Sequence, residues 1–236
     1  LTEIAGHKAG VLNPHVPFIL GQMTPEVQKV FHQKTKELDC PTYELDKEFS
    51  IRENGEIFDF YYKDISIANI TLSMLGHHQR TNASLAAMAA IILKSYFKNI
   101  TKTTIKNGLE NTVWAGRCEL MRPNLMLDGA HNEDSIAKLV DVLKKDFSNR
   151  NIHILFAGLG RKPLTQMLEE LSAFDLAVTS FDFYQAQALS DYPEKYKKVA
   201  DYKDWLADDE NNPEDFFVVT GSLYFISEVR NFLLNQ

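Results

Sequence analysis

The spacing of apolar positions changes character along the chain. In the first half, helical and β-style patterns follow one another without a fixed rhythm. Leu1–Gly10 reads as the last turns of a helix ended by Gly10, and the apolar run Val16–Gly21, entered through Pro14 and Pro17, as a short strand. Thr24, Pro25 and Glu26 make an N-cap, a proline at the first helical position and an acidic first turn. They predict a helix through Lys36 with an apolar stripe of Val27, Val30 and Phe31. Strand patterns follow at Thr42–Leu45, Phe49–Arg52 and Ile57–Tyr62, the last two joined by the turn signal Glu53-Asn54-Gly55-Glu56, and Ile65–Leu75 continues in the same style. Gly76-His77-His78-Gln79-Arg80 then predicts a break before a helix from Asn82 to about Lys98. That segment is apolar almost all round, which predicts burial between layers. Thr101–Leu109 reads as a short helix, and the change of pattern near Asn107–Thr112 divides the chain into regions 1–110 and 111–236.

After that boundary strands and helices alternate. Strand Asn124–Asp128, helix Glu133–Phe147, strand His153–Ala157, helix Pro163–Ala173, strand Leu176–Phe181, a helical stretch within Pro193–Ala207 and strand Phe216–Thr220 succeed one another, and Gly221-Ser222 opens a last helix. Such alternation predicts an α/β fold, Rossmann-like, with a mostly parallel sheet covered on both faces. The acidic cluster Asp208–Glu210 reads as a solvated loop. The centre of the pattern is Leu125–Asn132, L-M-L-D-G-A-H-N. An apolar strand delivers Asp128 to its carboxyl end, a glycine turn follows, and Asn132 caps a helix with Glu133 and Asp134 in its first turn. Strand ends and helix N-termini are where open α/β sheets bind nucleotides and other anions.

Composition narrows the field. A hydrophobic content of 44% suits a real core, and a net charge of -7 leaves no basic stripe for a nucleic acid. Cys40 and Cys118 stand far apart without metal-ligand spacing, so they read as reduced thiols of a cytoplasmic protein. No apolar run reaches the ~18 residues of a membrane span, and no signal-peptide pattern opens the chain, so no membrane partner is expected. The missing initial methionine suggests a fragment. Nothing signals an oligomer, and a monomer is expected. No G-x-G-x-x-G follows a strand, which argues against a nicotinamide-dependent oxidoreductase.

Five segments together resemble the folylpolyglutamate synthase/dihydrofolate synthase family of the Mur ligase superfamily: E-I-A-G-H-K-A-G at Glu3–Gly10, G-H-H-Q-R-T-N-A at Gly76–Ala83, G-L-E-N-T-V-W-A-G-R at Gly108–Arg117, L-D-G-A-H-N at Leu127–Asn132 and V-T-G-S-L-Y at Val219–Tyr224. The resemblance implies that residues 1–110 are the later part of a central ATPase domain and 111–236 a C-terminal glutamate-ligase domain. The chemistry implied is ATP-driven and magnesium-dependent. A phosphoryl group passes to the carboxylate of folate or dihydropteroate, and the amine of L-glutamate attacks the acyl phosphate. A Gly-rich loop ending in Gly-Lys-Ser or Gly-Lys-Thr is not among these residues, which implies that this piece is inactive alone.

The resemblance also implies roles. Lys8 matches a lysine that is carbamylated and holds a magnesium ion, as a buried lysine of depressed pKa could do. Asn82 matches an adenine-contacting asparagine, its plain alternative being an N-cap. Arg117 matches an arginine that reaches the ATP phosphates, where a fixed guanidinium fork suits two oxygens at once. Ala115 stands where the family commonly has proline. Asp128 and His131 match residues on the nucleotide, His131 also facing the incoming glutamate, and Ser222 and Tyr224 match positions near the glutamate site. Adjacent His77 and His78 are better read as loop residues than as metal ligands. Gln185 stands where an arginine is usual, and Arg161 or Lys162 is a candidate to supply that charge. A Mur-type ligase for another acceptor and a non-catalytic nucleotide-binding module are the rival readings.

Overall fold

The structure is a computed structural model that describes residues 1–160 and 164–235. It divides into two compact units, one of Leu1–Ser73 with His77–Thr112, the other of Met74–Gly76 with Val113–Gln236.

In the first unit, helix α1 (Thr2–Ala9), strand β1 (Phe18–Leu20), helix α2 (Pro25–Glu37) and strand β2 (Thr42–Glu44) form a small layer in which β1 and β2 pair in parallel. Phe31 and Leu20 are buried there with Ala5 and Ala9. The end of β2 carries a buried carboxylate, Glu44, held by His32 at 2.9 Å and Lys47 at 2.8 Å, with Gln28 as a third donor. Burial pushes the Glu44 carboxyl up, but Lys47 and His32 outweigh it and the group is held below its ordinary value.

Strands β3 (Phe49–Asn54), β4 (Ile57–Tyr62) and β5 (Ile65–Thr71) form an antiparallel sheet. Asn54 pairs with Ile57, so the hairpin closes on Gly55-Glu56, with Gly55 at φ 62°. Helix α3 (His78–Leu93) packs on this sheet, and α4 (Lys102–Glu110) follows with a capping box between Thr101 and Thr104.

The break predicted at Gly76–Arg80 is shorter than its polarity suggests. Only Gly76 takes a left-handed φ, and His78, Gln79 and Arg80 already belong to α3. Arg80 is buried and tied to Glu53 at 2.7 Å and Glu56 at 3.3 Å, so its charge fastens the helix start to the hairpin instead of ending a helix. The helix ends at Leu93, short of Lys98. Its buried residues, Gln79, Arg80, Ala83, Ser84, Ala87 and Met88, follow one stripe, while Ala86 and Leu93 are exposed. The alanines hide this asymmetry from the pattern, because small side chains are apolar on the wet face as well.

In the second unit a six-stranded sheet runs in the order β10-β9-β8-β11-β7-β6. Its strands are β6 (Glu119–Arg122), β7 (Leu125–Leu127), β8 (Ile152–Phe156), β9 (Asp175–Val178), β10 (Lys197–Lys198) and β11 (Phe216–Thr220). Five are mutually parallel, and β6 pairs antiparallel with β7. The α/β class with a mostly parallel sheet is therefore as expected. Strand β6 was not anticipated, since its residues Glu-Leu-Met-Arg carry a mixed pattern.

The helices are α5 (Glu133–Asp146), α6 (Thr165–Leu171), α7 (Tyr202–Asn211) and α8 (Leu223–Leu234). The helical stretch expected around residues 193–207 begins later, as α7 at Tyr202; before it come loop and the short edge strand β10, with Tyr192 and Tyr196 turned inward to the core. Asp208–Glu210 lie in the backbone of α7 and not in a loop. Pro163, the expected start of α6, lies outside the described residues, as do Arg161 and Lys162.

Alternation splits the sheet residues between two cores. Met126, Val218, Ile154 and Leu176 stand in register across four strands and face α5 and α6; Leu127, Val219, Leu155 and Ala177, one step on, face the other side with Phe225 of α8 and Trp205 of α7. Ile154 is fully buried at the middle of the first core. Replacing it by alanine is expected to cost ~2–5 kcal/mol of stability in this unit. Urea unfolding followed by a probe in the second unit reads that loss as a shift of midpoint with unchanged slope; no shift would mean that the core is not packed as described.

Candidate functional site

Asp128 leaves the carboxyl end of β7 with its N–H on the carbonyl of Val219, so the site begins one residue beyond the last sheet pair. Its carboxylate is buried and accepts two backbone N–H groups, from Cys118 at 2.8 Å and from Ala130 at 2.9 Å. Asp128 thereby ties the turn before β6 to the turn after β7. The Cys118 thiol lies 3.5 Å from the same carboxylate. Burial and that negative charge push the thiol well above its ordinary range, so it stays a neutral thiol.

The glycine of the turn gives its N–H to the carbonyl of Gly116 at 2.8 Å. A Cβ at Gly129 would strike Leu223, and one at Gly116, which sits at φ 69°, would strike Ile226. At both positions the ends of flexible side chains on the first turns of α8 fill the space a Cβ would take, and the left-handed φ of Gly116 itself favours glycine. Arg117 sits at the apex of this arrangement. Its backbone N–H goes to Trp114, and its guanidinium makes no hydrogen bond or ion pair among the described residues.

His131 follows with its backbone N–H on the hydroxyl of Ser135 and its ring Nδ1 2.7 Å from the carbonyl of Gly129. A carbonyl only accepts, so Nδ1 is the donor in this contact, which fixes the orientation of the ring. Asn132 caps α5 by accepting from Ser135 N–H, as its position predicts.

The third segment comes from the end of β11. Ala130 O accepts from Gly221 N–H at 3.0 Å and from the Thr220 hydroxyl at 3.3 Å, and Ala157 at the end of β8 donates to Thr220 O. Ser222 is buried and caps α8 through Tyr224 N–H; Tyr224 is largely exposed with its ring stacked on Phe183. Strands β8, β11 and β7 are neighbours, so their carboxyl ends bring Gly158, Ser222, Asp128 and His131 to one edge of the sheet. The N–H of Gly158 donates to the buried Tyr192 hydroxyl at 2.9 Å, and burial pushes that phenol up to about 12.

Residues 116–223 match the family described as Mur ligase, glutamate ligase domain. Over 249 aligned positions the chain is 31% identical to the dihydrofolate synthase/folylpolyglutamate synthase of Bacillus subtilis (strain 168), covering 98% of this chain and 57% of that protein. A solved folylpolyglutamate synthetase from Lactobacillus casei superimposes with a TM-score of 0.80 at 26% identity, covering 99% of this chain and 58% of that one. An FPGS-AMPPCP-folate complex gives 0.80 at 27% identity, with 99% and 56% covered. The chain belongs to the folylpolyglutamate synthase/dihydrofolate synthase family. It spans a little over half the length of the relatives it matches.

Of the residues singled out by likeness to the folylpolyglutamate synthases, the second unit holds Arg117, Asp128, His131, Ser222 and Tyr224, and the first holds Lys8 and Asn82. Asn82 is not an N-cap. It lies inside α3, exposed, with its amide N–H on Gln79 at 3.0 Å. Lys8 is exposed in the last turn of α1. Among the described residues no group of three or more His, Cys, Asp or Glu is placed to hold a metal ion, so these residues do not form a preformed magnesium site. His77 is the N-cap of α3 and pairs with Glu53, in keeping with the loop reading.

Glu119 and Arg230 were missed. Glu119 accepts from Gly116 N–H at 2.8 Å and from Arg230 Nε of α8 at 2.9 Å and 3.0 Å, which braces the Arg117 turn. The partners stand 111 residues apart, and no local pattern joins them. Tyr192 was missed for the same reason. Tyr192→Phe strands the Gly158 N–H in the core and is expected to cost ~1–3 kcal/mol. Thermal unfolding and hydrogen exchange at Gly158 check this; unchanged protection there would remove Tyr192 from the account.

Proposed function

We propose that the natural protein carrying this chain is an ATP-dependent ligase that joins L-glutamate to folate, with dihydropteroate as a second candidate acceptor. The single observation that carries the reading is the convergence at one sheet edge of the Arg117 turn, the Asp128–His131 turn and the Ser222 cap, with an Arg117 guanidinium that makes no hydrogen bond or ion pair among the described residues. A structural neighbour complexed with AMPPCP and folate supports both substrate classes. Residues 1–110 are read as part of a central ATPase domain and 111–236 as the glutamate-ligase domain.

The reaction places charge on a transferring phosphoryl group and then on a tetrahedral carbonyl, so it calls for fixed donors and cations more than for a protein nucleophile. Arg117 offers two parallel N–H donors and a positive charge to phosphate oxygens. Asp128 acts by holding the turn that carries Arg117 against the turn that carries His131, and by contact with the nucleotide. His131 is assigned to the side of the site that meets the γ-phosphate and the incoming glutamate, whose ammonium group must lose a proton before the amine attacks. The first backbone N–H groups of α8 behind Ser222 suit a glutamate carboxylate. Asn82 is assigned to the adenine. Magnesium would neutralise phosphate charge; Lys8 alone does not make a site for it, and no step is derived through the metal.

The test is ADP release by the natural protein with ATP, glutamate and, in turn, folate, dihydropteroate and a muramyl acceptor. Release is expected with a pteroyl acceptor and not with the muramyl one. Arg117→Ala and Asp128→Ala should each lower turnover by ~10²-fold or more, because each removes a group serving developing charge. Release only with the muramyl acceptor would move the protein to another branch of the superfamily, and near-normal turnover in both variants would remove those two roles.

A further inference from the structure

A ladder of aromatic rings runs from the second core of the C-terminal unit out to the sheet edge that carries the site. Buried Phe225 touches Phe181 at 5.4 Å; Phe181 lies parallel to Phe183 at 6.0 Å and 2°; Phe183 stacks on Tyr224 at 4.3 Å and 16° and meets Tyr184 at 4.7 Å. The ladder ends in water, with Tyr224 54% and Tyr184 86% exposed. Exposed rings of this size are a cost unless something covers them.

These rings do not sit on a slack loop. Ala186 N–H donates to Phe183 O at 2.9 Å, Gly160 N–H to Gln185 O at 3.0 Å, Gln187 N–H to Gly158 O at 3.0 Å, and the Ser180 hydroxyl to Gln187 O at 2.9 Å. The loop after β9 is thus pinned to the loop after β8, and its rings are set in place before any ligand arrives. From Phe181 to Gln187 it carries one carboxylate, Asp182, and no basic residue. An uncharged flat ring bearing amino donors fits both the stacked faces and the Asp182 carboxylate of this loop.

We propose that Phe183, Tyr184 and Tyr224 form a stacking platform for the planar heteroaromatic ring of a substrate of the reaction proposed above. The inference rests on that reading and changes one part of it: Tyr224 serves a ring and not the glutamate. Two substrates carry such a ring, the adenine of ATP and the pteridine of folate, and the test separates them.

Equilibrium dialysis of the natural protein with folic acid alone and with AMPPCP alone is compared for wild type, Tyr224→Leu and Tyr224→Phe. Tyr224→Leu is expected to weaken one of the two ligands about tenfold and leave the other within about twofold, while Tyr224→Phe, which keeps the π face, binds as wild type does. The ligand that weakens names the ring. Equal loss of both ligands, loss of neither, a wild type that binds neither, or a Phe variant as weak as the Leu variant overturns the platform. Tyr184→Leu, at a ring too exposed to be needed for folding, should weaken the same ligand by a smaller factor; binding as tight as wild type overturns the platform even where Tyr224→Leu fails to fold. Binding needs no turnover, so an intact platform in a protein that releases no ADP would remove the ligase reading and leave the platform standing.

Discussion

Gly221 stands at φ 113° between the last residue of β11 and the cap of α8, and a Cβ there would lie 2.5 Å from the carbonyl of Ala157. Because that volume is empty of side chain, the end of β11 lies against Ala157 beyond β8 while Gly221 N–H and the Thr220 hydroxyl reach Ala130 O beyond β7. The rest of the site follows from this closeness. Ala130 is held from one side by β11 and from the other by the Asp128 carboxylate, which reaches on to Cys118 and so fixes the Arg117 turn. A methyl group at residue 221 would have to be relieved by moving backbone, since the atom it meets is a carbonyl oxygen and not the end of a flexible side chain.

The arrangement divides labour between groups that are spent on structure and groups that face outward. The Asp128 oxygens, the Ser222 hydroxyl and Nδ1 of His131 are engaged by backbone groups, which orders the turns and orients the histidine ring. Among the described residues the Arg117 guanidinium makes no hydrogen bond or ion pair, which suits its charge to a ligand. A site for transferring phosphoryl groups needs this combination, because donors that are already oriented do not have to reorganise as charge develops.

How far the sequence shows this can be argued element by element. Strand β11, the Asn132 cap and the start of α8 stand where the pattern puts them, because β-branched and aromatic runs and Asx or Ser caps are local signals. The turns at Asp128, Gly116 and Gly221 were visible as motifs, but their convergence was not, since it depends on β11 entering the sheet between β7 and β8. Long-range partners left no trace: Glu119 with Arg230 and Tyr192 with Gly158 are joined only by the fold. Where polarity was taken for a break, at His78–Arg80, a buried ion pair with the hairpin carried the helix through. Where helix was expected around residue 195, two inward tyrosines and a short edge strand won over local propensity.

The central claim is that this sheet edge serves an acyl-phosphate ligase. It is tested most directly by giving the natural protein ATP, glutamate and folate labelled with oxygen-18 in its side-chain carboxylates. The account requires a carboxylate oxygen to attack the γ-phosphorus and to leave with phosphate when the amine attacks the carbonyl carbon. Each turnover should therefore place one labelled oxygen in the inorganic phosphate; glutamylated product accompanied by unlabelled phosphate would contradict it.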